Sequence, residues 1–401
     1  MTQFRSPLPD PVELTRELVR IPSVNPSLSP AGTGEVEIAR RCANLLEDGG
    51  FELRWLEAEP GRPSIVARRS VGDPSGGPCL ILNGHLDTVG IEGMSVDPFE
   101  AEHRDGRIFG RGSADMKSGV AALLVAALAV ARDPGSFCGE ILVALTADEE
   151  HASIGLRHLL ELGALDPVGG ADTPRFAIVT EPTSLQVMPA NKGFVWFDLE
   201  AEGVAAHGSR PDRGRDAIRT LGRVLAALDL WEELARASEP HPLLGHPSIH
   251  AGTVRGGTSP SVYPAHAHLV LEARTLPRGG EEAAMGWLTE AIRHRVIALD
   301  PETRLRLTRS IARPPAELPL DAPLVTDLLE AAGAEGHKPA LEGMSAWVES
   351  AFLNEAGIPA LCFGPGSIEE AHTDAESVPV DEIRLATRIL ERWLRSGRRA
   401  P

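Results

Sequence analysis

The chain has 401 residues, 42% hydrophobic and 24% charged, the composition of a folded globular protein and long enough for two domains. With 39 Lys and Arg against 57 Asp and Glu the formal charge is −18, which argues against nucleic acid or an anionic membrane as partner. The four cysteines are scattered without a Cys-x-x-Cys pair, so neither a disulfide framework nor a zinc knuckle is predicted.

The first 25 residues carry Pro7, Pro9 and Pro11 and no apolar signal core, so a cytoplasmic location is the default expectation. A first helix is predicted over Pro11–Arg20, with Asp10 as its cap and Pro11 in its first turn, and a second over Glu35–Gly49. Strands over 64–68, 79–83, 141–146, 176–180 and 360–363 alternate with helices over 118–131 and 155–162. The longest apolar run, Gly119–Ala131, is too short to span a bilayer and reads as a buried helix. Near-continuous apolar strands alternating with helices predict an α/β domain whose mixed, mainly parallel sheet is covered on both faces.

From about Gly193 the pattern changes. A half-exposed strand over 194–201, an amphipathic helix over 216–228, a strand over 265–273, a helix over 281–298 and a period-two strand over 304–308 follow. These fit strand–helix–strand–strand–helix–strand, a small ferredoxin-like α+β insert. Pro314-Pro315 marks a junction, after which helices over 323–332 and 347–356 return to the earlier pattern. One domain is therefore expected to interrupt another: 1–188 and 313–401 form the larger, 189–312 the smaller.

In open α/β sheets ligands gather beyond the carboxyl ends of strands. His85 and Asp87 follow the strand at 79–83, and an aspartate beside a metal-bound imidazole is the usual device for holding its second nitrogen. Asp115 lies in the glycine-lined loop Gly110-Arg111-Gly112-Ser113-Ala114-Asp115, Asp148-Glu149-Glu150 ends the strand at 141–146, Glu181 follows 176–180, and His372 comes after 360–363. Singly, each has a plain reading: a helix cap for Asp115, a solvated loop for Asp148-Glu149-Glu150, a turn for Glu181, a surface imidazole for His372. Together they would crowd like charges unless a cation sat among them. Two imidazoles and three carboxylates suit two divalent ions with three protein ligands each, provided one carboxylate bridges. A fourth acid is then free as a base, and Glu149 beside Glu150 offers that division of labour. Such a pair activates water and polarises a carbonyl, which implies amide hydrolysis.

The segments His85-Leu86-Asp87-Thr88-Val89, Gly110 to Gly119, Asp148-Glu149-Glu150, Thr180-Glu181-Pro182-Thr183 and Ala371-His372-Thr373 resemble the co-catalytic zinc metallopeptidase and deacylase family. That family includes acetylornithine deacetylase, succinyl-diaminopimelate desuccinylase, aminoacylase and glutamate carboxypeptidase. The resemblance covers nearly the whole chain and is nearest the acetylornithine deacetylase-like branch. It implies that His85, Asp115 and Glu181 hold one metal and Asp115, Glu150 and His372 the other. Zinc is the expected ion, with cobalt or manganese accepted. Asp87 would orient His85, and Glu149 would be the general base.

In the insert, Gly203 to Pro211 resembles the family's lid segment, which implies that His207 steadies an oxyanion in a partner subunit of a homodimer joined through the lid. Glu272-Ala273-Arg274-Thr275 resembles the motif whose arginine grips the substrate carboxylate. Gly364-Pro365-Gly366-Ser367 resembles the substrate-side loop, placing Gly366 there. Two departures stand out. Ser261 occupies a position that carries a substrate- or oxyanion-holding asparagine in the family. Trp347-Val348-Glu349 replaces Gly-Thr-Asp or Gly-Thr-Glu, so Trp347 reads either as the wall of a modified pocket or as a core residue. The expected substrate is a small N-acyl amino acid, or a dipeptide if the enzyme is a carboxypeptidase or dipeptidase instead. A non-catalytic binding protein on the same fold is the third reading, and the intact Glu149 argues against it.

Overall fold

The computed structural model describes residues 7–72, 77–135 and 137–396, so residues 1–6 of the N-terminal stretch read as lacking a signal core lie outside the described residues. The chain divides into two compact units, Met1–Pro189 with Leu318–Glu342 and Val348–Pro401, and Ala190–Glu317 with Gly343–Trp347.

In the first unit α1 (Pro11–Arg20) starts as predicted, the Asp10 carboxylate accepting from the amides of Val12 and Glu13. There follow α2 (Val36–Asp48), β1 (Glu52–Glu57), β2 (Pro63–Val71), β3 (Cys79–His85), the short β4 (Glu102–Arg104) and β5 (Arg107–Phe109), and α3 (Ser118–Arg132). Next come β6 (Gly139–Thr146), α4 (Ile154–Glu161), β7 (Arg175–Val179) and β8 (Val187–Asn191). The main sheet runs β1-β2-β6-β3-β7 and continues, through a late strand at Ala360–Cys362, to β8. Its centre is parallel and its flanks are antiparallel.

Every residue of β3 and β6 is buried, as sheets covered on both faces require. Leu80, Leu82, Ile141, Val143 and Leu145 join one large cluster with α1, α2 and α3. Together with the kinked turn at 113–117, α3 forms a 20-residue segment containing an 18-residue stretch of mean hydropathy 1.7, long and apolar enough by those measures to cross a membrane. It is buried as far as Ala131, and its leucines and valines pack in this cluster. Gly119 lets its first turn approach the sheet, since a Cβ there would lie 2.0 Å from the Thr180 carbonyl oxygen.

The second unit contains β9 (Gly193–Glu202), α5 (Ala217–Ala237), β10 (Ser248–Gly256), β11 (His266–Thr275), α6 (Gly280–Ile292) and β12 (Arg304–Arg313). Its antiparallel sheet has the order β10-β11-β9-β12, the split-βαβ arrangement. Val195, Phe197, Leu199 and Ala201 on alternate positions of β9 meet Leu221, Val224 and Trp231 of α5 and Leu288 of α6 in a separate core.

The chain ends with β13 (Ala316–Glu317), α7 (Pro323–Ala334), β14 (Leu341–Met344), α8 (Ser350–Glu355), β15 (Ala360–Cys362), β16 (Ser377–Pro379) and α9 (Val380–Ser396). The predicted helix over 347–356 starts only at Ser350, and that over 281–298 breaks after Ile292 into a wider turn at Arg293–Ile297. β16, β5 and β4 make a small separate sheet that brings the segment after His372 beside the loop that carries Asp115.

Candidate metal centre

His85 is the last residue of β3, directly opposite Thr146 on the parallel neighbour β6. After β6 the chain turns sharply through Asp148, whose φ of 68° is in the left-handed region. The turn aims the amides of Glu149 and Glu150 at the Asp87 carboxylate, 3.0 and 3.2 Å away. Asn25 donates to the same carboxylate at 2.8 Å and to Asp148 at 3.0 Å. The Asp87 carboxylate therefore shapes the Glu149-Glu150 loop. It stands 3.7 Å from His85 Nδ1, whereas the Asp87 main-chain oxygen is 3.0 Å away and is the nearer acceptor for the ring. The expected orienting contact is thus made chiefly by main chain.

With Nδ1 turned to that carbonyl, His85 Nε2 faces Asp115 Oδ1 at 3.0 Å. The other Asp115 oxygen lies 3.4 Å from Nε2 of His372, which is itself 3.1 Å from Glu150 Oε2. One oxygen of Asp115 thus points to each imidazole. Donor atoms of His85, Asp115 and Glu150 lie within 4.8 Å of one another, close enough to share a cation. His372, at φ 62°, is half exposed while Asp115 and Glu181 are buried. The Asp115–Met116 peptide is cis.

The electrostatics fit a cation-binding donor set. Burial pushes the carboxyls of Glu149, Glu150 and Glu181 up, and their negative neighbours push them further. For His85 burial works downward, but the hydrogen bond and charge of Asp115, with Glu181 and Glu149, outweigh it and hold the ring well above its ordinary value. His372, hydrogen-bonded to Asp115 and Glu150, is raised to about 10. Asp115 moves the other way: burial opposes ionisation, yet its bonds to His372 and His85 keep it lowered. So many acids crowded around two imidazoles relieve their repulsion best around a divalent cation, and imidazole with carboxylate is a donor set suited to one.

The remaining candidates fall elsewhere. Gly366, at φ 85°, lies in the first unit; its amide donates to Glu382 and its carbonyl accepts from Ser184. His207, Ser261 and Arg274 belong to the second unit. There His207 and Ser261 are neighbours: the Gly208 amide donates to the Ser261 carbonyl at 2.7 Å, and both side chains are exposed. Arg274 pairs with Glu272 at 2.7 Å and lies over the Phe194 ring at 5.4 Å. Trp347 packs edge-on against Phe194, with Arg313 over its ring, and is partly buried.

Three groups escape the sequence reading. Asn25 is one. Arg62 is another, buried with Glu35 at 2.6 Å and Asp148 at 3.0 Å behind the Glu149 loop. The third is Glu376, a buried carboxylate that accepts from the amides of Gly112, Ala114 and Asp115 at 2.9 to 3.1 Å and from Arg111 at 2.6 Å. Because β16 pairs with β5, this clamp joins the His372 segment to the Asp115 loop. All the partners of Glu376 are donors, so Glu376→Gln turns an amide N–H₂ against them. That variant is expected to lose about 10- to 100-fold in metal affinity or activity, as disruption behind a ligand does. Zinc titration beside kcat checks it.

A sheet ending in two imidazoles and clustered carboxylates, with a ferredoxin-like unit inserted in the chain, defines a metal-dependent hydrolase of linear amides. The profile of Peptidase family M20/M25/M40 matches residues 81–396, and the chain belongs to that family. It is 33% identical over 356 residues to an acetylornithine deacetylase of Myxococcus xanthus, covering 87% of this chain and 85% of the relative. Aminopeptidase PepT from Bacillus cereus superposes with TM-score 0.76 at 20% identity, covering 96% of this chain and 97% of that one. An M20 metallo-carboxypeptidase from Sulfolobus solfataricus does so with TM-score 0.75 at 17% identity, covering 96% and 99%. At these identities the two structures establish the fold and nothing narrower.

Proposed function

We propose that the chain removes an acyl group from N-acyl amino acids, with a pair of divalent ions held by His85, Asp115 and Glu181 on one side and Asp115, Glu150 and His372 on the other. The observation that carries this reading is Asp115, with one oxygen 3.0 Å from His85 and the other 3.4 Å from His372. The ions, zinc for preference with cobalt or manganese accepted, would supply an acidified water and a polarised carbonyl. Glu149 takes the proton from the attacking water and delivers it to the leaving amine. Its loop is set by Asp87 and Asn25, so the base is positioned before substrate arrives. Arg274 is assigned to the substrate carboxylate, which its planar fork matches, and Ser261 and Gly366 to the substrate side. Identity to an acetylornithine deacetylase along most of the chain supports deacylation over peptide cleavage.

A panel of acetyl-, succinyl- and longer-chain acyl amino acids beside simple dipeptides, with zinc, cobalt or manganese added, tests the reading. Acyl release from one of the N-acyl compounds is the expected result. Turnover of dipeptides alone would favour a carboxypeptidase or dipeptidase, and no turnover of any would favour a binding protein.

The second unit is assigned to homodimerisation, through which His207 would reach a partner's site. Its edge strand β10 is exposed along nearly its whole length, with Val254 at 58%, and Ile218 of α5 is 46% exposed. A fully active monomer in sedimentation and assay would remove that role. A cytoplasmic location completes the proposal.

A further inference from the structure

Arg62 has no part in the proposed chemistry, yet it is 6% exposed and lies among acids. It stands just before β2, whose Ser64 hydroxyl accepts from the Ala147 amide at 3.2 Å where β6 has ended. Its fork is divided between two carboxylates. Nε and Nη2 donate to the two oxygens of Glu35 at 2.8 and 2.6 Å, and Nη2 donates also to Asp148 Oδ1 at 3.0 Å. Both acids are buried, and among the described residues no other arginine or lysine bonds to either. Two buried charges therefore depend on one guanidinium, and a buried pair that loses one partner is strongly destabilised.

Asp148 is also the residue on which the Glu149 turn is built. At φ 68° a residue with a Cβ is strained, and such a conformation persists only where its surroundings hold it. Oδ2 accepts from the Ala152 amide at 3.1 Å, and the main-chain oxygen from the amides of Ala152 and Ser153, which closes the turn. Oδ1 is shared by Arg62 and Asn25. The Asn25 amide has two hydrogens and spends them on two acids, Asp148 at 3.0 Å and Asp87 at 2.8 Å. Asp87 in turn accepts from the amides of Glu149 and Glu150. An unbroken path of hydrogen bonds thus runs from Glu35 through Arg62, Asp148, Asn25 and Asp87 to the main chain of Glu149.

We propose that Arg62 is a positioning residue for the general base: by fixing the Asp148 carboxylate it holds the left-handed turn and, through Asn25 and Asp87, keeps Glu149 where it can take the proton from water. The proposal rests on the reading of Glu149 as the base. It demands a fork and not only a charge. A lysine nitrogen stands where the guanidinium carbon does, one bond short of Nη2, and a single nitrogen there cannot serve both acids as the fork does. Methionine has similar length and neither function.

The test compares wild type, Arg62→Lys, Arg62→Met, Glu149→Gln and the double variant Arg62→Lys with Glu149→Gln. Measured are kcat and KM on the best substrate of the acyl panel, metal per chain, and hydrogen exchange over residues 147–154 in metal-stripped protein, with thermal melts to show each variant folded. Arg62→Met should lose about 10- to 100-fold in kcat, and Arg62→Lys about 10-fold, with KM and metal content near wild type, as for other residues that hold a functional group in place. Exchange over 147–154 should quicken about 10-fold in both and stay as in wild type in Glu149→Gln. With glutamine at 149, Arg62→Lys should cost less than about 3-fold more, because residues that act through one group are not additive. An arginine that served stability alone would cost the same with or without Glu149. That result overturns the proposal, as does unchanged kcat or unchanged exchange in Arg62→Lys, or loss of metal in step with kcat. Should Arg62→Met fail to fold, Arg62→Lys and the double variant decide. Wild-type kcat in Glu149→Gln overturns the base itself, and that failure shows in a variant whose Arg62 is untouched.

Discussion

Glu149→Gln is expected to lower kcat about 10²- to 10⁴-fold while both metal ions stay bound, the loss typical of removing a positioned general base. Glutamine keeps the length and planarity of the side chain but cannot accept a proton. Nothing that holds the loop is altered, since the Asp87 carboxylate binds the main-chain amides of residues 149 and 150 rather than the side chain. The contacts among the proposed ligands Glu150, His372, Asp115 and His85 likewise involve no atom of the Glu149 carboxyl. The site even tolerates the neutral group well: burial, with the charges of Glu181, Glu150 and Glu349 added, already pushes this carboxyl upward. Steady-state kinetics at saturating substrate, with metal per chain from plasma mass spectrometry, check both halves. A variant that loses metal along with activity would make Glu149 a ligand instead of a base. One that keeps its activity would move the base elsewhere.

The strand ends are legible in the sequence because of how parallel sheets are buried. β3 and β6 are covered on both faces, so they read as unbroken apolar runs, and an imidazole or acid just past such a run stands out. That is why His85, Glu149, Glu150 and Glu181 can be picked without coordinates. Glu376 carries no such signal. In Thr373-Asp374-Ala375-Glu376 it looks like a solvated turn, and its four donors lie more than 260 residues away along the chain, gathered by three-residue strands too short to show a period. Asn25 and Arg62 are invisible for the same reason, being ordinary polar residues until the fold brings Asp148 to them. β10 escapes because almost all its residues are exposed, leaving no alternation to read. The helix α9 is different: Ile383, Ala386, Leu390, Trp393 and Leu394 carry a full helical period, and the sequence reading stops short of it.

Asp115→Ala is expected to remove both ions, whereas His85→Ala and His372→Ala should each weaken one. The geometry separates these outcomes. Asp115 presents Oδ1 to His85 and Oδ2 to His372, so its loss takes a ligand from each side at once. Glu181 with His85, and Glu150 with His372, would remain as two-donor sites, short of the three protein ligands an open divalent site uses. Losing either histidine leaves the opposite trio intact. The competing explanation, that Asp115 serves as a helix cap, predicts a loss of about 0.5–2 kcal/mol in stability and no change in metal. The structure weakens it, because neither the turn at 113–117 nor α3 has a side-chain cap hydrogen bond at its start. The Asp115 main chain is instead held by Glu376, so the alanine variant should keep the loop and lose only the carboxylate. Zinc-loaded protein passed through gel filtration and analysed for metal per chain gives the stoichiometry. Thermal melts with and without chelator give an independent reading: ligand at 100 times Kd stabilises a fold by about 2.7 kcal/mol, so chelator should lower the wild-type midpoint and leave the Asp115→Ala midpoint where it was. An Asp115→Ala protein that retains a full complement of metal would show that this carboxylate bridges nothing.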